Sequence, residues 1–456
     1  MPAKTAQKAL IICLICLLGQ SAKAQTTEPQ HDELLNGLRV LLWSRPGDQT
    51  VMLKLRIHSG AAFDTKGKAG TMALLGDLLF PDATTHEYFT GEMGGRLDVD
   101  TDYDSINITL QGRASEYDRI VDILRSALVT TPLTPENLTK VRDGRLKKLN
   151  EAKLSPGEIA DQAIASLLLG DFPYSRPVGG TIESLKKIER SDLMLARDRF
   201  LAPNNATLAI VGGVDQRRAM RALRQLLGGW RKGDQVVPST FRQPDPPNSR
   251  ILIVPSVGLP LAEVRVGTRG VARSDPDFFA VRMLTVLARD RWQKLAAAPT
   301  GTTFFARADG HTLPELFVMG SSVNAAAATK TLESAYAVIK SLVNSPASAA
   351  ELEMVKGFSF GLANQTSETM ANAWLDIDTF GLKSIDEQLK LRNSISAAEL
   401  QRVAGRLFDN KTIATVIVGD TEQLKAEYAP ERMLFPILSG EKNRNDKQNG
   451  LELVLN

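Results

Sequence analysis

The chain has 456 residues, of which 43% are hydrophobic and 23% charged, and this composition is ordinary for a soluble globular protein with buried cores. Its formal net charge is +3, so overall charge gives no support for nucleic acid or an anionic membrane as a partner. The length suits two or three domains.

The first 24 residues have the pattern of a secretory signal peptide. Two lysines precede an apolar run of about ten residues, and small residues near Ala24 offer a cleavage site. The run is shorter than the roughly 20 residues that span a bilayer, so we expect secretion across the inner membrane, to the periplasm in a Gram-negative bacterium, with no remaining membrane span. Cleavage would remove Cys13 and Cys16, which excludes disulfides and thiolate metal sites, and would leave 52 basic and 52 acidic residues.

The hydrophobic periodicity of residues 25–232 predicts one α+β unit, because strands and helices are mixed without strict alternation. Strands are expected at 38–44 and 51–58. The helix expected at 70–80 has apolar residues at helical spacing, namely Met72, Leu74, Leu75, Leu78 and Leu79. The remaining expected elements are a helix near 86–94, a strand pair at 96–111, helices at 116–129, 134–153, 157–170, 191–201 and 215–228, and a strand at 206–213.

The chain repeats these features after 207 residues. The helix and glycine-ended strand near 188–213 recur near 395–420, with the matched pairs Ile188/Ile395, Asp192/Glu399, Leu193/Leu400, Phe200/Leu407 and Gly212/Gly419. One large offset indicates duplication of a whole unit, because solenoid repeats have periods of about 20–50 residues. We therefore expect two homologous α/β-roll domains related by internal duplication, each with a mixed, largely antiparallel sheet packed with helices.

The second copy is expected at 250–440, after a proline-rich linker at 233–249 and before a polar tail at 441–456. Its expected strands are 251–256, 261–268, 303–309, 314–323 and 412–419. Its expected helices are 275–296, 325–344, 348–364, 367–380 and 396–408, with a further helical start at 421–428.

Several motifs, spread over nearly the whole chain after residue 24, together resemble the insulinase/pitrilysin (inverzincin) family of zinc peptidases. The form is the short one with two similar domains, like the mitochondrial processing peptidase subunits. The motifs are HSGA (58–61), KAGTMALLGDLLF (68–80), FPYSRPVGGTIESLKKI (172–188) and LAIVGGV (208–214). The resemblance implies a peptidase-like fold and, in active members, an H-x-x-E-H helix that binds zinc, with a glutamate ligand about 75 residues further on.

This chain departs from the metal motif of the family. The resemblance puts Ala73 at the first histidine position, Gly76 at the general base, Asp77 at the second histidine and Glu151 at the downstream glutamate, with Glu158 a less suitable candidate. A catalytic zinc needs three protein ligands and an open position for water, whereas these residues supply two carboxylates at most. Because the base is replaced as well, we expect no metal, no other cofactor and no catalytic residue in this chain.

The substrate-binding signature in the second half of short family members, L-R-E-x-x-G-L-A-Y, is degenerate too. Ala296 falls where its arginine would be and Phe304 near its tyrosine, so the cation that would hold a substrate backbone is lost, unless Arg291 or Arg307 substitutes. No two histidines have metal-ligand spacing, and we expect each to be hydrogen-bonded or to face solvent. They are His31, His58, His86 and His311.

Three functions are compatible with this sequence. The first is a non-catalytic subunit that forms a heterodimer with an active zinc peptidase homologue and shapes a chamber for peptide substrates. The second is a free-standing structural or binding protein of the same fold, and the third is a zinc-dependent endopeptidase with an unrecognised metal site. We favour the first, because the fold motifs persist while the ligands are lost.

Overall fold

The computed structural model describes residues 28–151, 154–234, 241, 251–256, 258, 260–296, 302–358, 366–408 and 413–420. The expected signal peptide, most of the linker, the helical start at 421–428 and the polar tail lie outside the described residues. The domain boundaries stay predictions. Among the described helices, none is long and apolar enough to cross a membrane.

The first half contains a six-stranded sheet with the spatial order β1-β2-β6-β3-β5-β4. Its strands are β1 (Gln30–Glu33), β2 (Arg39–Ser44), β3 (Thr50–Ile57), β4 (Arg96–Thr101), β5 (Ile106–Arg113) and β6 (Ala206–Gly212). Neighbouring strands are antiparallel except β2 and β6, which run parallel. Alternate side chains, such as Leu53, Leu55 and Ile108, point to one face and form the core of this half with its helices.

The structure describes eight α-helices in the first half, and capping residues mark the start of several of them. They are α1 (Thr71–Leu79), α2 (Ala83–Gly91), α3 (Tyr117–Arg125), α4 (Pro135–Glu151), α5 (Pro156–Leu169), α6 (Ile182–Lys187), α7 (Arg190–Phe200) and α8 (Gln216–Leu226). Asp215 caps α8 by accepting a hydrogen bond from the Arg218 amide. Thr181 and Ser184 form a capping box at the start of α6.

The second half contains a five-stranded sheet with the order β7-β11-β8-β10-β9. Its strands are β7 (Ile251–Pro255), β8 (Leu261–Arg269), β9 (Thr303–Ala308), β10 (Leu316–Asn324) and β11 (Ala414–Gly419). Its described helices are α9 (Phe278–Ala296), α10 (Ala328–Asn344), α11 (Ala349–Gly357), α12 (Ser367–Thr379), α13 (Ile385–Ser394) and α14 (Ala397–Phe408).

The two sheets have the same topology. Without β1, the first sheet reads β2-β6-β3-β5-β4, which matches β7-β11-β8-β10-β9 strand for strand. The parallel pair also recurs, as β2 with β6 and as β7 with β11. The α+β fold class, the mixed and largely antiparallel sheets and the internal duplication are therefore confirmed.

One helix of each half packs on the sheet of the other half. Helix α5 packs on β8, β10 and β11, and helix α12 packs on β3 and β6. The two helices are equivalent under the 207-residue offset, since the buried Ala163 and Leu168 of α5 correspond to Met370 and Leu375 of α12. Each sheet thus has helices of its own half on one face. The helix on its outer face comes from the other half, and α5 and α12 are therefore called the exchanged helices.

Most elements lie close to the bounds that the sequence predicts, but three were not predicted. Strand β1 is a polar four-residue segment, helix α6 has six residues, and helix α13 is largely polar. Such segments are too short or too polar to show hydrophobic periodicity, because that signal needs an apolar face over several turns.

Candidate functional site

The start of helix α1 is fixed by the buried carboxyl group of Asp64. The backbone amides of Gly70 and Met72 donate hydrogen bonds to it at 2.6 and 2.9 Å. Burial raises the pKa of Asp64 to about 7, and the two amides and the charge of Arg176 act in the opposite direction. Gly70, at the N-cap, has φ +93°, a conformation that favours glycine.

The segment 172–188 holds the same helix start from the other side. A Cβ atom on Gly180 would lie 2.4 Å from the carbonyl oxygen of Ala69, so this approach requires glycine. The Ser184 hydroxyl donates to that same carbonyl oxygen at 2.7 Å. The segment 172–188, whose sequence carries much of the resemblance to the family, therefore helps to position helix α1.

Apolar side chains fix the rest of helix α1 against the core of the first half. The five residues expected at its packing face, Met72, Leu74, Leu75, Leu78 and Leu79, are all buried. The helix thus keeps its place in the fold through packing, and the sequence prediction for this face is confirmed.

Positions 73 and 77 of α1 are bridged by Arg145, a residue of helix α4. Its Nη2 donates to the carbonyl oxygen of Ala73 at 3.2 Å and to Oδ1 of Asp77 at 3.1 Å, and its Nε donates to Oδ2 of Asp77. The Arg145 and Asp77 side chains are 25% and 32% exposed. A guanidinium group bound to two carboxylate oxygens is a strong, charge-assisted contact. A fixed cation therefore lies against positions 73 and 77, where the resemblance puts the histidines of active family members.

Gly76, which the resemblance puts at the general-base position, faces strand β4. A Cβ atom there would lie 2.9 Å from Oγ1 of Thr101, which is closer than van der Waals contact allows without a shift. The space beside position 76 is thus filled by the sheet, and a longer side chain would have to displace Thr101 or turn away from it.

The two downstream carboxylates considered as metal ligands have other contacts. Glu151, whose side chain is 65% exposed, pairs with Lys147 at 3.8 Å. Glu158 forms a capping box with Ser155 at the start of α5. Within the described parts of the chain, no group of three or more His, Cys, Asp or Glu residues could hold a metal ion. A catalytic zinc, with three protein ligands, does not fit these residues.

Arg145 is the residue that spacing along the sequence did not identify. Counting from the family motif leads to Glu151, but Arg145 lies six residues earlier on the same helix and is the one that contacts α1. The signal available in the sequence was the partly apolar stripe of α4, in which Leu138 is buried and Val141, Leu146 and Leu149 pack on the core. That stripe gives the buried face of α4 but not the residue that reaches Asp77.

In the second half, the degenerate substrate-binding positions belong to the framework. Ala296 is the last residue of α9, and Phe304 is buried with its ring centroid 4.8 Å from that of Trp292. Arg291 donates to Glu351 at 2.8 Å and Arg307 to Asp161 at 3.1 Å. Both nearby arginines therefore take part in ion pairs inside the chain.

Two histidines lie at contacts between the halves. Nε2 of His58 lies 2.9 Å from Oγ1 of Thr207 and 3.3 Å from Asp378, and burial lowers the pKa of His58. His311 lies between Asp104, at 2.8 Å, and Glu315, at 3.2 Å. Burial alone would lower the pKa of His311, but the hydrogen bond to Asp104 and the charges of Glu315 and Asp104 outweigh it and raise this pKa to about 9.

The other two histidines have simpler surroundings. Nδ1 of His86 lies 3.1 Å from the carbonyl oxygen of Leu97, and His31 is exposed on β1.

A cavity of about 520 Å³ lies on the outer face of the first sheet, next to the edge strand β4. Charged side chains of both signs line it, among them Lys54, Arg56, Arg96, Asp100 and, from α12, Asp376. An edge strand beside an open cavity can take up an extended peptide by strand addition. The cavity thus borders an edge strand on one side and helix α12 on the other.

Comparison with known proteins gives the family context. A family model described as "Insulinase (Peptidase family M16)" matches residues 39–182, and one described as "Peptidase M16 inactive domain" matches residues 187–357. The first range contains α1 with its degenerate positions. The probable mitochondrial-processing peptidase subunit beta of Arabidopsis thaliana is 21% identical over 275 residues, which are 59% of this chain and 51% of that protein. The chain thus matches about half the length of this relative.

Solved structures share the fold over most of the chain. A protease from Helicobacter pylori has a TM-score of 0.78 at 16% identity and covers 86% of this chain and 100% of that one. The first half of the periplasmic protease PqqL from Escherichia coli has a TM-score of 0.72 at 15% identity and covers 89% of this chain and 94% of that one. At these identities the likeness is one of fold.

Proposed function

The chain belongs to the insulinase family, peptidase family M16, and from that premise we propose that it is a secreted, non-catalytic member that works as the partner subunit of an active zinc peptidase. In this role it contributes one wall of a chamber that takes peptide substrates. The reaction itself takes place at the metal site of the other subunit.

The Arg145 bridge is the observation that carries this proposal. Its guanidinium contacts the Ala73 carbonyl and the Asp77 carboxylate, so a Zn²⁺ ion at the same place would meet a like charge at contact distance. Position 76 has no carboxylate to take a proton from a metal-bound water. Loss of ligands, of base and of space for the ion together favours a scaffold over a catalyst.

Three further points support the partner role and the location. The relative in Arabidopsis thaliana is described as a subunit, so a related chain belongs to an assembly. β4 is the edge strand of the first sheet and borders a cavity, and a peptide can bind to an edge strand by strand addition. The signal-peptide pattern favours export, and PqqL, which shares the fold, is described as periplasmic.

The first experiment measures metal content and cleavage. The purified chain is incubated with zinc and desalted, and it is expected to retain less than about 0.1 zinc per chain. It should also show no chelator-sensitive cleavage of a peptide library. A homologue from the same organism with an intact H-x-x-E-H helix serves as the positive control. Stoichiometric zinc together with chelator-sensitive cleavage would overturn the proposal and favour the endopeptidase alternative.

The second experiment tests the partnership. The chain carries a tag and is co-expressed with the H-x-x-E-H homologue, and the expected result is a one-to-one complex that cleaves peptides faster than the homologue alone. Replacement of the motif glutamate by glutamine in the homologue should abolish all cleavage by the complex, since this chain supplies no second site. If the two chains never associate and this chain purifies as a stable monomer or homodimer, the free-standing structural alternative is favoured instead.

A further inference from the structure

We infer that the two halves recognise each other through their exchanged helices and stay assembled as separate polypeptides when the linker between them is cut. The interaction surface is the outer face of each sheet, and its partner is the exchanged helix of the other half. This inference concerns the assembly of the chain and holds whether or not the proposed function is correct.

Helix α5 completes the core of the second half. Its apolar side chains, including Ala160, Ala163, Ile164 and Leu168, form one cluster with side chains of the second sheet, including Val254, Val318, Val416 and Val418. All of these residues are buried. Without α5, the outer face of the second sheet would expose a continuous apolar surface, which water disfavours.

Charged groups fix the position of α5 on that sheet. Asp161 of α5 accepts hydrogen bonds from Nε of Arg265 at 2.6 Å and from Nη1 of Arg307 at 3.1 Å. Arg269 donates to the carbonyl oxygen of Leu168, near the end of α5, at 2.7 Å. The side chain of Arg265 is 4% exposed, so its pairing with Asp161 is largely shielded from solvent.

Helix α12 completes the first half in the same way. Its apolar residues Met370, Ala371, Trp374 and Leu375 form a cluster with Leu41, Met52, Ala209 and Val211 of the first sheet. The rings of Trp374 and Trp43 meet edge to face with centroids 5.8 Å apart. The C-terminal half is thus required to cover the outer face of the N-terminal sheet.

Ion pairs again set the register, with carboxylates on the helix and cations on the sheet. Asp376 pairs with Arg56 at 2.7 Å and Glu368 with Arg96 at 2.6 Å. Asp378 pairs with Arg39 at 2.8 Å. In both contacts the helix carries the carboxylates and the sheet carries the guanidinium groups. This charge complementarity favours the observed position of each helix on its sheet.

A third contact joins the halves through residues that lie outside both helices. The Tyr174 hydroxyl donates to Oδ1 of Asp104 at 2.6 Å, and Oδ2 of that carboxylate lies 2.8 Å from Nδ1 of His311 and accepts from the Thr312 amide at 3.0 Å. The Leu313 amide donates to the Tyr174 hydroxyl at 3.0 Å. The hairpin of the second half is therefore hydrogen-bonded directly to the first half.

These three contacts together resemble an obligate subunit interface, which has an apolar core, paired charges and buried hydrogen bonds. None of their residues belongs to the linker. The linker adds only a high effective concentration of one half near the other, and an interface of this kind does not need that contribution to persist.

The experiment uses the full chain with a specific protease site inserted within residues 235–240. After cleavage, both pieces are expected to co-elute in size-exclusion chromatography with light scattering at the mass of the uncut chain, in 150 mM and in 1 M NaCl. Separation of the wild-type pieces into two peaks would overturn the inference.

Variants of α12 show which contact holds the pieces together. Asp376→Arg places two cations side by side and is expected to raise the dissociation constant of the cut pieces at least about tenfold. The paired exchange Arg56→Asp with Asp376→Arg should restore most of the loss. Leu391→Ala, at an exposed position of α13 (48% exposed), is the matched control and should leave the association unchanged. Equal dissociation constants for wild type and Asp376→Arg would contradict the assigned interface, and circular dichroism before cleavage shows that each variant is folded.

Discussion

Arg145 supplies at the residue scale what a metal ion supplies in a metallopeptidase: a positive charge that joins two neighbouring helices. The charge is carried by the chain itself and is bound by Asp77 and by the Ala73 carbonyl. Because the pair is mostly shielded from water, loss of one member leaves the other with a desolvated, unpaired group.

Replacement of Arg145 by alanine is expected to lower the free energy of unfolding by about 1–3 kcal/mol, since Asp77 and the Ala73 carbonyl both lose a charged donor. Urea unfolding followed by circular dichroism measures the change. Lys147→Ala, which removes an exposed partner of Glu151 on the same helix, is the control and should change it by less than about 0.5 kcal/mol. Equal effects of the two substitutions would mean that the Arg145 bridge does not stabilise the fold.

The His311 cluster makes stability depend on pH. The pKa of His311 is raised to about 9 in the folded chain, above its usual value near 6.5, so its stabilising contribution is complete below about pH 6.5 and is lost as the pH rises through 9. Burial also raises the pKa of Glu315 to about 7, although the charge of His311 opposes this, and the contribution of Glu315 falls between about pH 4.5 and 7. Both groups therefore favour the folded state more at lower pH.

His311→Gln should accordingly flatten the pH profile. The difference in unfolding free energy between wild type and this variant is expected to shrink by on the order of 2 kcal/mol between pH 6 and pH 9.5. Urea titrations at several pH values measure it, and His31→Gln, at an exposed position of β1, is the control. A difference that stays constant with pH would show that folding does not raise the pKa of His311.

At the scale of elements, the contacts of its start and of its apolar face hold helix α1 in place. Its start is held by Asp64 and Gly180, and its buried face by five apolar side chains. None of these contacts involves the side chains at positions 73 and 77, although Ala73 itself is buried.

Metal binding should therefore be restorable by substitution. Ala73→His, Asp77→His and Arg145→Glu together place two histidines one helical turn apart and a carboxylate opposite them, and we expect about one zinc per chain. The control keeps Arg145 beside the two histidines and should bind far less zinc, because the guanidinium charge remains. Metal analysis after dialysis gives the answer, and cleavage should stay absent since position 76 still lacks a base. Equal zinc content with and without Arg145→Glu would contradict the role assigned to this residue.

The sequence predicted elements well but their partners less well. Helix α5 was expected near its observed bounds, yet nothing in residues 157–170 indicates that its apolar face meets the other half's sheet. Periodicity reports which face of a helix is buried and not what buries it. For the same reason the stripe of α4 did not reveal Arg145, and the count along the chain led to the exposed Glu151.

At the scale of the whole molecule, the exchanged helices couple the stability of the two halves. Within the part of the chain that the structure describes, each half has an outer sheet face that a helix of the other half covers. The fold class and the duplication were predicted because they follow from local patterns and a fixed offset. The exchange was not predicted, because hydrophobic periodicity does not tell which of the two sheets an apolar helix face covers.

A single cooperative unfolding transition is therefore expected in calorimetry, with the van't Hoff enthalpy close to the calorimetric one. Trp374→Ala, which opens the contact of α12 with the first sheet, should lower the unfolding free energy by about 3–5 kcal/mol and keep one transition. Val129→Ala, at an exposed position (46% exposed), is the control. Two transitions in the wild-type protein, only one of which moves in Trp374→Ala, would show that the halves unfold independently.

The exchange also has a consequence for synthesis. Helix α5 ends at Leu169, but the sheet that covers it is complete only with β11, which ends at Gly419, about 250 residues later. At roughly 5–20 residues per second, its apolar face waits about 12 to 50 s for its partner. Such long-range contacts also slow folding itself. A nascent or translocating chain would thus present an uncovered apolar helix for most of its production, which is the condition under which chaperones that hold exposed hydrophobic segments are needed.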